Sequence, residues 1–300
     1  MASADAYTAP FMLTKSMHRD VYPAVDPKIN PELDGSSKVV MIFGATSGLG
    51  YAIAKSWSIA RARGIVLVGR NRGDLENVKK DLATDSEVLV IAANVTSVSE
   101  TDAAFETALG KFGRVDVVIN AFGVMKTAPI GAQDPGAWWE NFDTNVRGVY
   151  NVCHSYINAA GGKGTIVNLV SLAASFVAPA MSGYSASKLA VIKLGECLQV
   201  EQPGIRVFSV HPGMVVADSG RGMIIEAFAP FTKDTAALTG GLTLFLATPR
   251  ADFLNGGYIH ANWDVRELEH NKKEIVEKKL VALGFLNGQL REGGYPWTGV

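Results

Sequence analysis

Cysteine is scarce, with two residues in a chain of 300. Cys153 and Cys197 form no CxxC pair, and no His/Cys cluster has zinc-site spacing, so no metal site is expected. Both lie in stretches that read as helix, which favours buried free thiols over a disulfide and fits a reducing compartment. A surplus of one charge is also lacking. Charged residues make up 19% of the chain and the formal net charge is -1, which argues against an electrostatic grip on nucleic acid or an anionic membrane. No apolar run approaches the ~18 residues of a membrane span. The opening MASADAYTAPFMLTKSMHRD has no apolar core of a secretory signal, and its early Asp5 and scattered basic residues suit a mitochondrial presequence poorly. A cytoplasmic protein is expected. There is no internal repeat or low-complexity tract.

What is present divides into three parts. Residues 1–36 carry Pro10, Pro23, Pro27 and Pro31, which interrupt helix and favour extended backbone. They read as an arm packed over the domain or onto a neighbouring subunit, with the first ten or so residues open to disorder. The segment MHRDVYP, with His18, Arg19 and Tyr22, reads as surface packing. From Lys38 the pattern is regular. Short β-branched runs at 38–43, 65–69, 87–92, 115–119, 164–169 and 205–210 alternate with helix-like stretches at about 48–61, 73–83, 97–110, 134–160 and 183–201. This predicts βαβ units and a parallel sheet covered on both faces. Asp134-Pro135 is a helix start and Gly161-Gly162 a stop. Residues 213–231 break the rhythm after the sixth strand and read as a lid over a substrate, or as a surface excursion. The stripe Val265, Leu268, Ile275, Val276, Leu280 and Leu283 predicts an amphipathic helix over 264–283, within a C-terminal helix and tail at 263–300.

The first strand runs into Gly44-Ala45-Thr46-Ser47-Gly48-Leu49-Gly50, and a helix follows. Glycines allow close backbone approach, and the helix N-terminus offers free N–H groups to a diphosphate. Glycine also makes ordinary turns, so position between first strand and first helix is the stronger signal. The second strand ends in Val68-Gly69-Arg70-Asn71-Arg72. Gly69 stands where an acid would bind a ribose 2′-hydroxyl, and Arg70 next to it attracts a 2′-phosphate. Both favour NADP(H), although Arg70 also reads as a solvated strand-end charge.

Tyr184-Ser185-Ala186-Ser187-Lys188 opens a helix, and the i,i+4 spacing puts phenol and ammonium on one face. A free tyrosine has a pKa of about 10. A neighbouring cation lowers it towards the working pH, as alcohol/ketone interconversion requires. Ser171 lies upstream, after the fifth strand. With Asn120-Ala121-Phe122-Gly123 after the fourth strand, Asn145 within Asp143-Thr144-Asn145-Val146, and His211-Pro212-Gly213 after the sixth, the chain resembles the short-chain dehydrogenase/reductase family over roughly 38–262. Phe43 to Gly50 resembles its TGxxxGxG turn.

The resemblance implies a single-domain, Rossmann-like, doubly wound parallel sheet of about seven strands, spanning 37–262. It implies Tyr184 as general acid/base, Ser171 as the hydrogen-bond donor to the substrate oxygen, Lys188 as modulator of the tyrosine and binder of nicotinamide ribose, and Asn145 as holder of a relay water. It implies Gly44, Thr46, Ser47, Gly48, Leu49, Gly50, Arg70 and Asn71 around the diphosphate and adenosine ribose, and Asn94 and Val95 beside the adenine. It implies Pro212, Gly213 and Val215 along the nicotinamide side, with Gly123 in the cofactor-binding set. Asn120 belongs to the same set, with strand pairing as its stronger role. Phe43, Phe122, Asn94 and Ala217 depart from the family pattern at the cofactor end. Of the serines near the tyrosine, Ser175, Ser182, Ser185 and Ser187 lack the matching spacing. His211 reads as strand-end packing, and one of Trp138 and Trp139 as core or interface packing.

The expected function is NADP(H)-dependent hydride transfer between the nicotinamide and a ketone or secondary alcohol. Met214, Val215, Val216, Met223, Ile224, Ile225 and Phe228 suggest an apolar pocket wall and a small or medium apolar substrate. The competing readings are an NADP(H)-binding sensor or scaffold without turnover, and a cofactor-assisted imine reductase or cyclase. The Asn262-Trp263-Asp264-Val265 segment and MHRDVYP resemble a fungal branch of the family that tailors secondary metabolites. A homo-oligomer, dimer or tetramer, is the family expectation.

Overall fold

Runs of β-branched residues build the sheet. In a computed structural model describing residues 5–46, 48–82, 85–216 and 226–284, seven strands pair in parallel in the order β3-β2-β1-β4-β5-β6-β7. They are β1 (Val39–Phe43), β2 (Gly64–Gly69), β3 (Glu87–Ala92), β4 (Val117–Asn120), β5 (Gly164–Leu169), β6 (Ile205–His211) and β7 (Tyr258–His260). Alternation along β1 sends Val40 and Ile42 into one core and Val39, Met41 and Phe43 into the other. The sheet is therefore buried on both faces, as a parallel sheet with crossover helices requires. The strand order reverses between β1 and β4, and that crevice beyond the strand ends is where such folds bind ligands. β7 has three residues, too few for a periodic signature.

The helices are α1 (Gly48–Ile59), α2 (Arg72–Leu82), α3 (Val98–Phe112), α4 (Pro135–Phe142), α5 (Gly148–Ala160), α6 (Ser182–Glu201), α7 (Ala236–Leu246), α8 (Val265–His270) and α9 (Lys272–Glu277). Three expectations need correction. The helix expected over 134–160 is interrupted by a π-helical turn at Asp143–Arg147, which re-aims the side chains between α4 and α5. The C-terminal helix is two short ones, broken at Asn271, and Val276 and Leu280 of its stripe are exposed. Cys153 is buried, with its thiol pushed up to about 12 by burial, but Cys197 is exposed. One helix was not legible as a pattern. α7 is buried from Leu238 to Leu246, so it is apolar all round and shows no stripe.

α7 fits because two of its residues are glycines. A Cβ on Gly240 would lie 2.1 Å from Ser56 Oγ of α1, and one on Gly241 would lie 2.0 Å from the Val25 carbonyl. The N-terminal arm therefore packs against α7 of its own chain. It is fastened at several further points. Trp263 donates its indole N–H to the Phe11 carbonyl (2.9 Å), and the Val265 N–H donates to the Tyr22 hydroxyl (2.8 Å). His18 stacks on Tyr22 and bonds Asp264 at 2.7 Å.

Replacing Gly241 by alanine forces a methyl group against a backbone carbonyl. Gly241→Ala is expected to cost about 1–3 kcal/mol, as overpacking does. Urea denaturation will measure this, and hydrogen exchange should show faster exchange over residues 22–30.

Candidate active site

The carboxyl ends of the strands open into one cavity of about 910 Å3. Its lining draws in Gly44, Thr46, Gly48 and Leu49 from the first turn, Arg70 and Asn71 after β2, and Asn94 and Val95 after β3. Gly123, Ser171, Tyr184, Lys188, Pro212, Gly213 and Val215 of the expected set also line it. Residues separated widely in sequence thus converge on one space.

The glycine turn has the shape of a ligand cradle. Gly44 has φ +86°, and a Cβ on it would meet the Phe122 N at 2.8 Å. Gly48 has φ +55° and nothing within 4 Å of where its Cβ would point. One glycine is dictated by packing, the other by the left-handed conformation alone. Gly50 is not part of the lining. A Cβ there would sit 2.1 Å from the Gly44 carbonyl, so it permits α1 to approach the turn. Ser47 lies outside the described residues, as do Ala217 and residues 217–225 of the expected lid, including Met223, Ile224 and Ile225.

At the end of β2, a Cβ on Gly69 would lie 3.0 Å from Thr46 Cγ2 and 3.4 Å from Leu75 Cδ2. An acidic side chain at this position would need its neighbours to move. Arg70 is exposed on the cavity side, with no ion pair among the described residues. Asn71 accepts the N–H groups of Gly73 (2.9 Å) and Asp74 (3.3 Å), so its carbonyl is spent on starting α2. Asn94 Oδ1 likewise accepts the Thr96 N–H at 3.2 Å.

Tyr184 and Lys188 are buried on the same face of α6. Burial raises the Tyr184 phenol above its ordinary value, and the neighbouring Ser171 hydroxyl offsets only part of that effect. The lowering expected from Lys188 is not what these protein groups produce by themselves. Lys188 Nζ lies 5.9 Å from the Tyr184 ring centroid and donates to the Leu169 carbonyl at 2.9 Å. Burial lowers its own value to about 8. An ammonium has three donors, so this one has capacity left for a ligand.

Two more expected site residues lie behind the lining. Asn145 is fully buried, and both amide hydrogens and the amide oxygen have protein partners. Nδ2 donates to the Val124 carbonyl (3.0 Å) and Ser187 Oγ (2.9 Å), and Oδ1 accepts the Val124 N–H (2.9 Å). Asn120 donates to Asn168 Oδ1 at 2.8 Å within the sheet, which puts it beneath the cavity instead of against a cofactor. Phe43, too, is fully buried, with its ring 5.7 Å from that of Phe105.

Four residues acquire positions that the sequence did not reveal. Asn141, one helical repeat before Asn145, clamps Lys126 in the same way, accepting its N–H at 3.0 Å and donating to its carbonyl at 3.2 Å. The i,i+4 spacing of the two asparagines was the available signal. Ser187 ties Asn145 to the Tyr184 carbonyl, to which it donates at 2.7 Å. His211 lines the cavity, and its Nδ1 accepts the Leu172 N–H at 3.1 Å, fixing the turn after Ser171. Burial holds that imidazole down at about 3, the neutral form such an acceptor needs. Tyr7 of the arm also lines the cavity. Trp138 donates to Ser182 Oγ at 3.0 Å and stacks on Phe142, while Trp139 is exposed.

A sequence profile described as short chain dehydrogenase matches residues 38–223. The chain belongs to the short-chain dehydrogenase/reductase family. Among its relatives, the short chain dehydrogenase pigC of Monascus ruber is 30% identical over 289 residues, covering 91% of this chain and 94% of its own length. The short chain dehydrogenase andI of Emericella variicolor is 30% identical over 276 residues, covering 88% and 92%. A solved 3-ketoacyl-(acyl-carrier-protein) reductase from Brucella melitensis, complexed with NADH, has a TM-score of 0.68 and 27% identity over 75% of this chain and 96% of its own. The family is one of oxidoreductases that use a nicotinamide cofactor. No helix among the described residues is long and apolar enough to cross a membrane.

The Lys188 shift has a consequence for stability. Its folded-state value lies below the unfolded one, so between about pH 8 and 10.5 the unfolded chain binds more protons. The contribution of this site to stability therefore rises with pH across that window. Lys188→Met removes the buried charge. In cofactor-free protein it should be more stable than the parent near pH 7, and the gap should close towards about pH 10. Thermal unfolding across pH checks this, and a constant gap would contradict it.

Proposed function

We propose that this protein is an NADP(H)-dependent carbonyl reductase, or the reverse alcohol dehydrogenase, with residues 37–262 as its catalytic unit. The observation that carries the reading is the convergence of Ser171, Tyr184 and Lys188 on the cavity that also holds the glycine turn and Arg70. The site suits a dinucleotide. The open glycine at 48 leaves room for a diphosphate, Arg70 offers a 2′-phosphate a guanidinium with no ion pair among the described residues, and Lys188 has unused donors for ribose hydroxyls. When bound, a reduced nicotinamide supplies the hydride.

The protein groups handle the oxygen and the proton. The Ser171 hydroxyl donates a hydrogen bond to the substrate oxygen and holds it beside Tyr184. As the carbonyl carbon gains the hydride, negative charge builds on that oxygen, and the Tyr184 hydroxyl gives it a proton. The phenolate left behind is stabilised by the Lys188 ammonium. Reprotonation follows through solvent. Because the Asn145 amide is already satisfied, we place its relay water at the main-chain carbonyl, in the π-helical turn. The low-lying Lys188 value, about 8, suits a group that passes protons near neutrality.

Reduction of a ketone followed by NADPH absorbance tests the mechanism. Tyr184→Phe should lower kcat by about 10²–10⁴-fold, the usual worth of a general acid, while NADPH still binds. Turnover that survives the change would overturn the assignment. Arg70→Ala should raise the KM for NADPH about tenfold and leave that for NADH nearly unchanged, as loss of one charge-assisted phosphate contact would. A parent enzyme that prefers NADH would contradict the cofactor reading.

A further inference from the structure

The cavity has a wall that comes from outside the strand ends. Tyr7, in the N-terminal arm, is half-buried and lines the same space as Ser171 and Tyr184. Its ring is the hub of an aromatic group. Phe231 lies 4.8 Å away at 78°, Phe228 5.0 Å away at 83°, and Phe176 5.8 Å away at 39°. Two of these contacts are edge-to-face, the arrangement that complementary ring quadrupoles favour. Phe176 and Phe228, with Met125, also pack against the small buried cluster of Ala173, Met181 and Tyr184. The aromatic wall therefore continues to the proposed proton donor.

The arm is held at this wall by a buried ionic junction. Asp234, whose side chain has no exposed surface, accepts from Arg19 Nη1 at 2.8 Å. The same guanidinium donates to the Thr8 hydroxyl at 2.9 Å and pairs with Asp5, the two residues flanking the Ala6-Tyr7 step. Asp234 also accepts the Met214 N–H at 2.5 Å, and a Cβ on Gly213 would lie 2.6 Å from its carboxylate. One carboxylate thus fixes the arm and the nicotinamide-side loop relative to each other. A buried charge held by several bonds gives fixed geometry, which is what a recognition surface needs.

We propose that Tyr7 is a specificity-determining residue and that the wall it completes selects a flat, neutral aromatic ketone. This rests on the carbonyl-reductase reading. Ring edges and faces and methionine sulfurs reward an aromatic ligand beyond the area it buries. Among the described residues of this wall the cation is Lys126, and it is already paired with Glu140 at 3.2 Å, so an anionic group is not what these residues solicit. A small aliphatic ketone would reach Ser171 and Tyr184 but would leave most of the wall untouched.

The test uses the whole chain loaded with NADP(H) and two probes, 2-acetylnaphthalene and 2-butanone. Binding to the NADP+ complex is measured by calorimetry, and turnover by NADPH absorbance. Tyr7→Ala and Tyr7→Leu should each weaken 2-acetylnaphthalene about tenfold in Kd and KM, whereas Tyr7→Phe should stay within about twofold of the parent. For 2-butanone, KM and kcat should change by less than about twofold in all three variants. Thermal unfolding identifies any variant that has lost its fold, and Tyr7→Leu retains apolar bulk where Tyr7→Ala does not. Aromatic binding that Tyr7→Leu leaves intact, equal losses for both probes, or a parent that binds the two probes alike would overturn the proposal. Turnover that is absent, or indifferent to Tyr184→Phe, would instead overturn the reductase reading, while Tyr7-dependent binding of 2-acetylnaphthalene would still uphold the wall.

Discussion

The Lys188 ammonium lies in the interior with the Leu169 carbonyl as its protein acceptor at 2.9 Å. A buried cation with no carboxylate paired to it among the described residues is costly, and the cost shows in a value lowered to about 8. The arrangement can persist because α6 is anchored elsewhere. Ser187 fastens it to Asn145, and Asn145 fastens it to the loop after β4. Tyr184 is in the complementary position, with its phenol held neutral by burial. Each group is poorly served by the protein alone, and each is improved by a ligand that brings hydroxyls and charge. In the proposed function, that ligand is the nicotinamide nucleotide.

Much of this was legible in the sequence, because its main signals are local. Strand runs alternate with helices, and the glycine turn, Ser171, and the Tyr184/Lys188 pair each occupy a fixed place relative to a strand end. What stayed hidden depends on contacts between distant segments. α7 has no apolar stripe because every side is covered. The interruption at Asp143–Arg147 leaves the apolar pattern of 134–160 intact while changing where Asn145 points. His211 looked like packing, and it does pack, but its Nδ1 also fixes the turn after Ser171.

The arm shows the same limit most clearly. Its prolines suggested extended backbone, whereas Pro10 and Pro31 sit in short 3-10 turns, and nothing local to Tyr7 marks it as part of the cavity. That position depends on Arg19 reaching Asp234, far along the chain, and on three phenylalanines from two other loops. Recognition elements are often placed this way, on irregular segments pinned to a rigid frame. Chemistry and selection would then rest on different kinds of structure: the relay on α6 and the sheet, the wall on the arm.

The central claim is that Tyr184 becomes a competent acid only when a ligand offsets its burial. It can be measured as the alkaline phenolate difference spectrum between the parent and Tyr184→Phe, with and without NADP+. The account predicts that Tyr184 ionises above about 10 in cofactor-free protein and well below that in the complex. An ionisation that NADP+ leaves unmoved would contradict it.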